Sequence, residues 1–168
     1  MIWDGLDLKA IGVAAGAALF VAMVGGLLTD LGPWYQRLQQ PRWKPPDWAF
    51  GPIWTLIFAA AAAAGALAWQ RAPTSADRVC IVSQFALNGA LNIVWSVLYF
   101  RFKRPDWALV ELVFLWLSIA ALIVTLAPYS PVSSWLLVPY LVWVTTAGAL
   151  NRATIRLNGP FGGPSGKR

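Results

Sequence analysis

The stretch Gly32–Thr55 reads GPWYQRLQQPRWKPPDWAFGPIWT and stands between two long apolar runs. It holds four of the chain's eleven tryptophans (Trp34, Trp43, Trp48 and Trp54). Four of the twelve prolines fall before position 47, with Arg37, Arg42 and Lys44 interleaved. Proline fixes φ and removes a backbone donor, so Pro33, Pro41, Pro45, Pro46 and Pro52 exclude one continuous helix and favour extended or single-turn pieces. A stiffened connector loses less entropy on ordering. In one reading the segment is an interfacial connector with its indoles at headgroup level. In the other it is a lid, with Trp43, Pro45, Pro46 and Trp48 facing a flat ligand and Arg42 and Lys44 meeting its acidic groups.

The 168 residues are 58% hydrophobic and only 12% charged, against about 25% charged in a soluble domain, so the chain is a membrane protein. Its net charge of +6 comes from cations scattered in loops, with no basic helix or stripe, which excludes nucleic acid as a partner. The charge serves topology and lipid contact instead. Histidine is absent, which removes the commonest metal ligand and general base and any Ser-His or Cys-His pair, so no metal site is expected. The single cysteine, Cys80, permits no intrachain disulfide and reads as a small buried hydrophobe.

Five runs of about 18 residues or more carry few or no charges: 10–28, 52–69, 79–100, 107–127 and 132–151. In lipid the backbone must be satisfied within each element, so the fold class is an all-α bundle of five transmembrane helices, one domain over residues 1–156. The glycine-rich tail 157–168 is expected to be flexible. The first run has 19 residues and no basic stretch before it, which marks a span and not a cleaved leader. Ten of the thirteen Lys and Arg lie on the side of the Gly32–Thr55 loop and three on the other. Positive-inside bias places that loop and the C-terminus in the cytoplasm and the N-terminus outside it.

Gly12 and Gly16 have the spacing that lets helices approach closely, and Ala59 to Ala64 suits tight packing. Pro139 is expected to kink the fifth span. Trp3, Trp69 and Trp135 fall near the interface opposite the loop, as an aromatic belt would. Glu111, one turn inside the fourth span, is expected to pair with Arg101, Lys103 or Arg104 by snorkelling.

Asn88, Asn92, Trp95 and Tyr99 recur at i, i+4, i+7 and i+11, one face of the third span, and Tyr140, Trp143, Ala147 and Asn151 repeat the spacing on the fifth. Polar groups are costly against lipid, so both faces turn inward, either to bond each other or to contact a ligand. Depth places Asn92 and Trp143 eight residues from the loop-side span ends, roughly 12 Å in, with Trp54 and Trp107 opening spans on that side. These residues converge beneath the tryptophan-rich loop as a binding pocket.

The ordered motifs W-x-P-P-x-W-x-F-G-P-x-W (Trp43 to Trp54), A-L-N-x-x-W (Ala90 to Trp95), W-A-L-V-E-L (Trp107 to Leu112), P-Y-L-V-W (Pro139 to Trp143) and A-x-x-L-N (Ala147 to Asn151) resemble the translocator protein family. This is the TspO/MBR group, also called tryptophan-rich sensory proteins or peripheral benzodiazepine receptors. The resemblance covers all five spans, roughly residues 8–156. It implies a five-helix bundle that forms homodimers, with a cavity closed by the first loop and no resident cofactor. It also implies porphyrin ligands such as protoporphyrin IX, sterols and other hydrophobic small molecules, with cavity residues at Trp54, Asn92, Trp95, Trp107, Trp143 and Ala147. Some members are linked to light-dependent porphyrin breakdown through tryptophans that would be Trp54 and Trp143 here. The family's sterol motif places Tyr where this chain has Arg152, which speaks against sterol at that position. Three functions stay open: a receptor or transporter-like sensor of tetrapyrroles, a porphyrin-degrading enzyme using Trp54 and Trp143, and a regulatory membrane scaffold.

Overall fold

The structure, a computed structural model, describes residues 7–161. Five long helices carry the fold, with one short helix in the first loop. Helix α1 (Leu8–Leu28) starts at Asp7, whose carboxylate accepts the Lys9 backbone N–H. It ends after Gly25 and Gly26, whose carbonyls receive the Thr29 N–H. The loop holds α2 (Pro33–Arg37), with proline at the first helical position, where a missing donor costs nothing.

Helix α3 (Asp47–Arg71) starts five residues before the predicted span and runs through Pro52, which does not break it. The tolerated position is near the loop end of the helix, after Gly51, where neighbouring groups and water can take the one freed carbonyl. Helix α4 (Ser75–Ser96) opens with a capping box in which Thr74 and Asp77 satisfy each other's backbone N–H groups. It closes in a π-helical turn, Val97–Arg101, sealed by Phe102 N–H to Val97 O at 3.0 Å. The chain then reverses at Lys103, whose φ of 54° lies in the left-handed region. Helix α5 (Pro105–Leu126) and helix α6 (Pro131–Asn158) both begin with proline at the first position. Pro139 lies inside α6 without ending it, and the helix continues seven residues past the predicted end at Asn151. Leu157 and Asn158 are thus helical, contrary to the expected tail; Trp3 and the tail from residue 162 lie outside the described residues.

All five long helices are long and apolar enough to cross a membrane. They close a ring in the order α1, α3, α6, α5, α4, with α3 and α4 also touching across it. The core belongs to four of them: Ile57, Ala64 and Ala68 of α3 meet Ile81 of α4, Leu115, Ile119 and Leu122 of α5, and Leu137, Tyr140 and Val144 of α6. Helix α1 contributes no buried residue. A Cβ built on Gly12 or Gly16 meets nothing within 4 Å, so within the chain that spacing makes no close approach. Cys80 is exposed on α4 and not the buried hydrophobe expected, since an outward position in a span needs only apolar contact with lipid. Trp135 is exposed, and Trp69 lies under the Arg78 guanidinium, 5.4 Å from its ring.

Candidate functional site

The two predicted faces meet at mid-bundle through Tyr140. Its hydroxyl donates to Asn88 Oδ1 at 3.2 Å and accepts from Asn92 Nδ2 at 3.1 Å. Asn88 Nδ2 donates to Ser118 Oγ at 2.8 Å, and Ser118 Oγ donates to Leu115 O. Three helices are therefore pinned by one polar network, in a setting where an unpaired amide is costly. Ser118 was not singled out from the sequence, because a lone serine in an apolar helix carries no pattern.

An aromatic cluster fills the loop side of this network. Trp54 stacks on Phe58 at 5.3 Å and meets the edge of Tyr140 at 5.9 Å. Trp143 packs edge-on against Phe50 at 5.4 Å. Trp95 stacks on Tyr99 at 5.1 Å and touches Phe100. Phe50 and Phe58 escaped the sequence reading, although Phe50, Trp54 and Phe58 recur every four residues on one face of α3.

The loop docks on this cluster by its own aromatics. Trp34 meets Tyr99 edge-on and Tyr35 tilts against Phe100, each at 6.1 Å. The Tyr35 hydroxyl donates to Asp47 Oδ1 at 2.9 Å, and Lys44 bonds the same carboxylate while lying 4.9 Å from the Tyr35 ring. Burial, aided by that hydrogen bond to a carboxylate, pushes the Tyr35 phenol well above the ordinary tyrosine range. Lys44 is thus engaged within the loop, while Arg42 is exposed.

The proposed site residues do not all share one place. Trp54, Asn88, Asn92, Trp95, Tyr140 and Trp143 come together around the network and cluster, and Ala147 packs against the same core. Trp48 is 77% exposed and Trp107 51% exposed, the latter with the Arg104 guanidinium 4.2 Å over its ring. Trp43 lines an outer groove of about 520 Å³ with Gly148, Arg152 and Arg156. Pro45 is half-buried and Pro46 exposed.

Buried polar atoms on the loop side without a hydrogen-bond partner among the described residues include Trp95 Nε1, Trp143 Nε1, both amide atoms of Asn151 and both carboxylate oxygens of Glu111, besides Gln40 Nε2 in the loop itself. The expected ion pair of Glu111 is not made. Arg104 is bidentate to Asp106, and Arg101 donates to Leu27 O at 2.8 Å. Both cations are held near the helix ends while Glu111 points into the protein at 7% exposure.

Membrane-crossing helices ringed around a central polar network, with a loop docked over one end, make this a multi-pass helical membrane protein. The family described as TspO/MBR matches residues 13–157. The chain belongs to that family. It is 34% identical over 158 residues to the tryptophan-rich protein TspO of Chlorobaculum tepidum, covering 90% of this chain and 98% of that one. It is 36% identical over 145 residues to the translocator protein of Sus scrofa, covering 82% and 86%. The tryptophan-rich sensory protein of Cereibacter sphaeroides is 34% identical over 137 residues, covering 79% and 82%.

Proposed function

We propose that the protein binds porphyrins, protoporphyrin IX among them, between the docked loop and the aromatic cluster, and senses or moves them across its membrane. The observation that carries this reading is the set of orphaned donors: two buried indole N–H groups, at Trp95 and Trp143, lack acceptors on the loop side of the network. Buried donors left unmade cost about 1–3 kcal/mol each, so a ligand bringing acceptors gains that energy. A tetrapyrrole combines a flat apolar ring, suited to indole faces, with carboxylates that accept hydrogen bonds. Exposed Arg42 on the loop, and Lys44 once released from Asp47, supply countercharge. Displacement of Trp34 and Tyr35 from Tyr99 and Phe100 opens the way in. On this reading the loop and C-terminus face the cytoplasm, the side favoured by the excess of cations, and two copies form a homodimer.

The test is quenching of tryptophan fluorescence on titrating protoporphyrin IX into the purified chain, in the dark and under light, for wild type and Trp143→Phe. Saturable quenching that weakens in the variant supports the site. Linear quenching that ignores the substitution means partitioning into detergent and defeats it. A light-dependent spectral product abolished by Trp54→Phe, with binding intact, would move the assignment to degradation.

A further inference from the structure

A cavity of about 640 Å³ lies on the far side of the Asn88–Tyr140 network from the loop, enclosed by α1, α3 and α4. It lies where α1 bridges α3 and α4, which also touch each other across the ring. Helix α1 closes on α4 at one level, where a Cβ on Gly89 would come within 3.0 Å of Val21. From that contact the cavity runs along α1 towards its start at Asp7 and Lys9. Twelve residues separate Lys9 from Val21, about 18 Å at helical rise. The walls are small and apolar, chiefly alanine, such as Ala14, Ala17, Ala62 and Ala66. Among the described residues its polar groups stand at the two ends: Asn88 and Tyr140 at the floor, and Asp7, Lys9 and the Trp69 indole towards the mouth.

We propose that this cavity is a second ligand site, which borders the aromatic cluster at Phe58 and Tyr140 but opens at the opposite end of the bundle, and that it takes the chain of a free fatty acid with its carboxylate at the Lys9 mouth. Its volume falls within the roughly 300–1,000 Å³ of ligand pockets. Its length is close to one leaflet of a hydrocarbon core ~30 Å thick, the depth that one acyl chain fills. The mouth lies at the end of a span, where the headgroup of such a molecule sits. Lys9 offers the charge that a carboxylate needs, while the Asp7 carboxylate is turned to the Lys9 backbone N–H as the helix cap. A two-chain phospholipid would leave one chain outside a slot of this size. With no buried residue, α1 can move against lipid to admit the chain from the side.

The test is native mass spectrometry of the full chain released from detergent micelles after incubation with oleate or with dioleoyl phosphatidylcholine. Wild type is expected to retain a single oleate. Ala62→Phe and Ala17→Phe, which fill the slot, should lower retention about tenfold or more. Lys9→Gln should weaken oleate retention while leaving protoporphyrin quenching as in wild type. Preserved quenching in the two phenylalanine variants shows that they fold and that the loop-side site is independent. If they fail to fold, Ala62→Val decides in the same direction with a smaller loss. Equal oleate retention in wild type and the filled variants overturns the proposal, as does retention of phosphatidylcholine in place of oleate.

Discussion

The side chain of Asn158 holds the peptide of Gln39 from both ends, accepting its N–H at 2.7 Å and donating to its carbonyl at 2.9 Å. The same amide nitrogen donates to Thr154 O one turn back, which fixes its direction. The middle of the first loop is thereby tied to the last residue of α6, 119 positions away in sequence. Asn158→Ala should release the loop without unfolding the bundle. Losing a paired contact of this kind is worth about 1–3 kcal/mol, or roughly 5- to 100-fold in local opening. Hydrogen exchange at the Gln39 amide is the readout; protection as in wild type would show that the aromatic contacts alone hold the loop.

Tyr140→Phe removes the hydroxyl that joins Asn88 and Asn92 while keeping the ring against Trp54. Inter-helix hydrogen bonds in membranes average about 0.6 kcal/mol, but two buried amides are left short of a partner here, so a loss of about 1–2 kcal/mol is expected. That corresponds to roughly 2–8 °C in Tm for a chain of this size. Asn92→Leu in the Tyr140→Phe background should cost little more, because the network is already broken. An additive loss in the double variant would mean the two groups act separately.

The five spans were legible because lipid admits only long apolar helices, and the inward faces of α4 and α6 were legible because amides at helical spacing have few other places to go. The order of helices around the ring was not, since lipid is as apolar as leucine and hydropathy cannot distinguish a lipid-facing residue from a core one. Hence α1, the second most apolar span, has no buried residue at all. The end of α6 was hidden by Arg152 and Arg156, which break the apolar run while the helix continues to its anchor at Asn158. Trp107 shows the limit of reading depth alone: it opens a helix at the loop side, yet is more than half exposed. Depth gives a level in the membrane and says nothing of the direction around the helix.

The Tyr35 phenol makes loop docking sensitive to alkali. Folding raises it above the ordinary value of 10.0, through burial first and then the bond to Asp47, so the native state holds this proton more tightly than the unfolded chain does. The stability it contributes is whole below pH 10 and is lost as pH rises beyond that, when a phenolate would face the Asp47 carboxylate. Exchange of the loop amides, relative to an unstructured peptide at the same pH, should therefore accelerate above pH 10 in wild type. In Tyr35→Phe it should start faster and show a flatter alkaline rise. An alkaline rise unchanged by the substitution would place the titrating group elsewhere.

Glu111 should be a liability for the fold. Both carboxylate oxygens are buried on α5 without a partner among the described residues, and Arg104 and Arg101 are committed to Asp106 and Leu27. A buried polar group with no hydrogen bond costs about 1–3 kcal/mol even when neutral, and an ionised one costs more. Glu111→Leu removes that cost while keeping apolar volume next to Leu112 and Leu115, so Tm should rise by several degrees. Glu111→Gln removes the charge and leaves the amide short of partners, so its gain should be smaller. If instead both substitutions lower Tm, the carboxylate must have a partner that stabilises it in the membrane. If Tm rises while porphyrin quenching weakens, Glu111 accepts a hydrogen bond from the ligand, and the lost stability is what binding recovers.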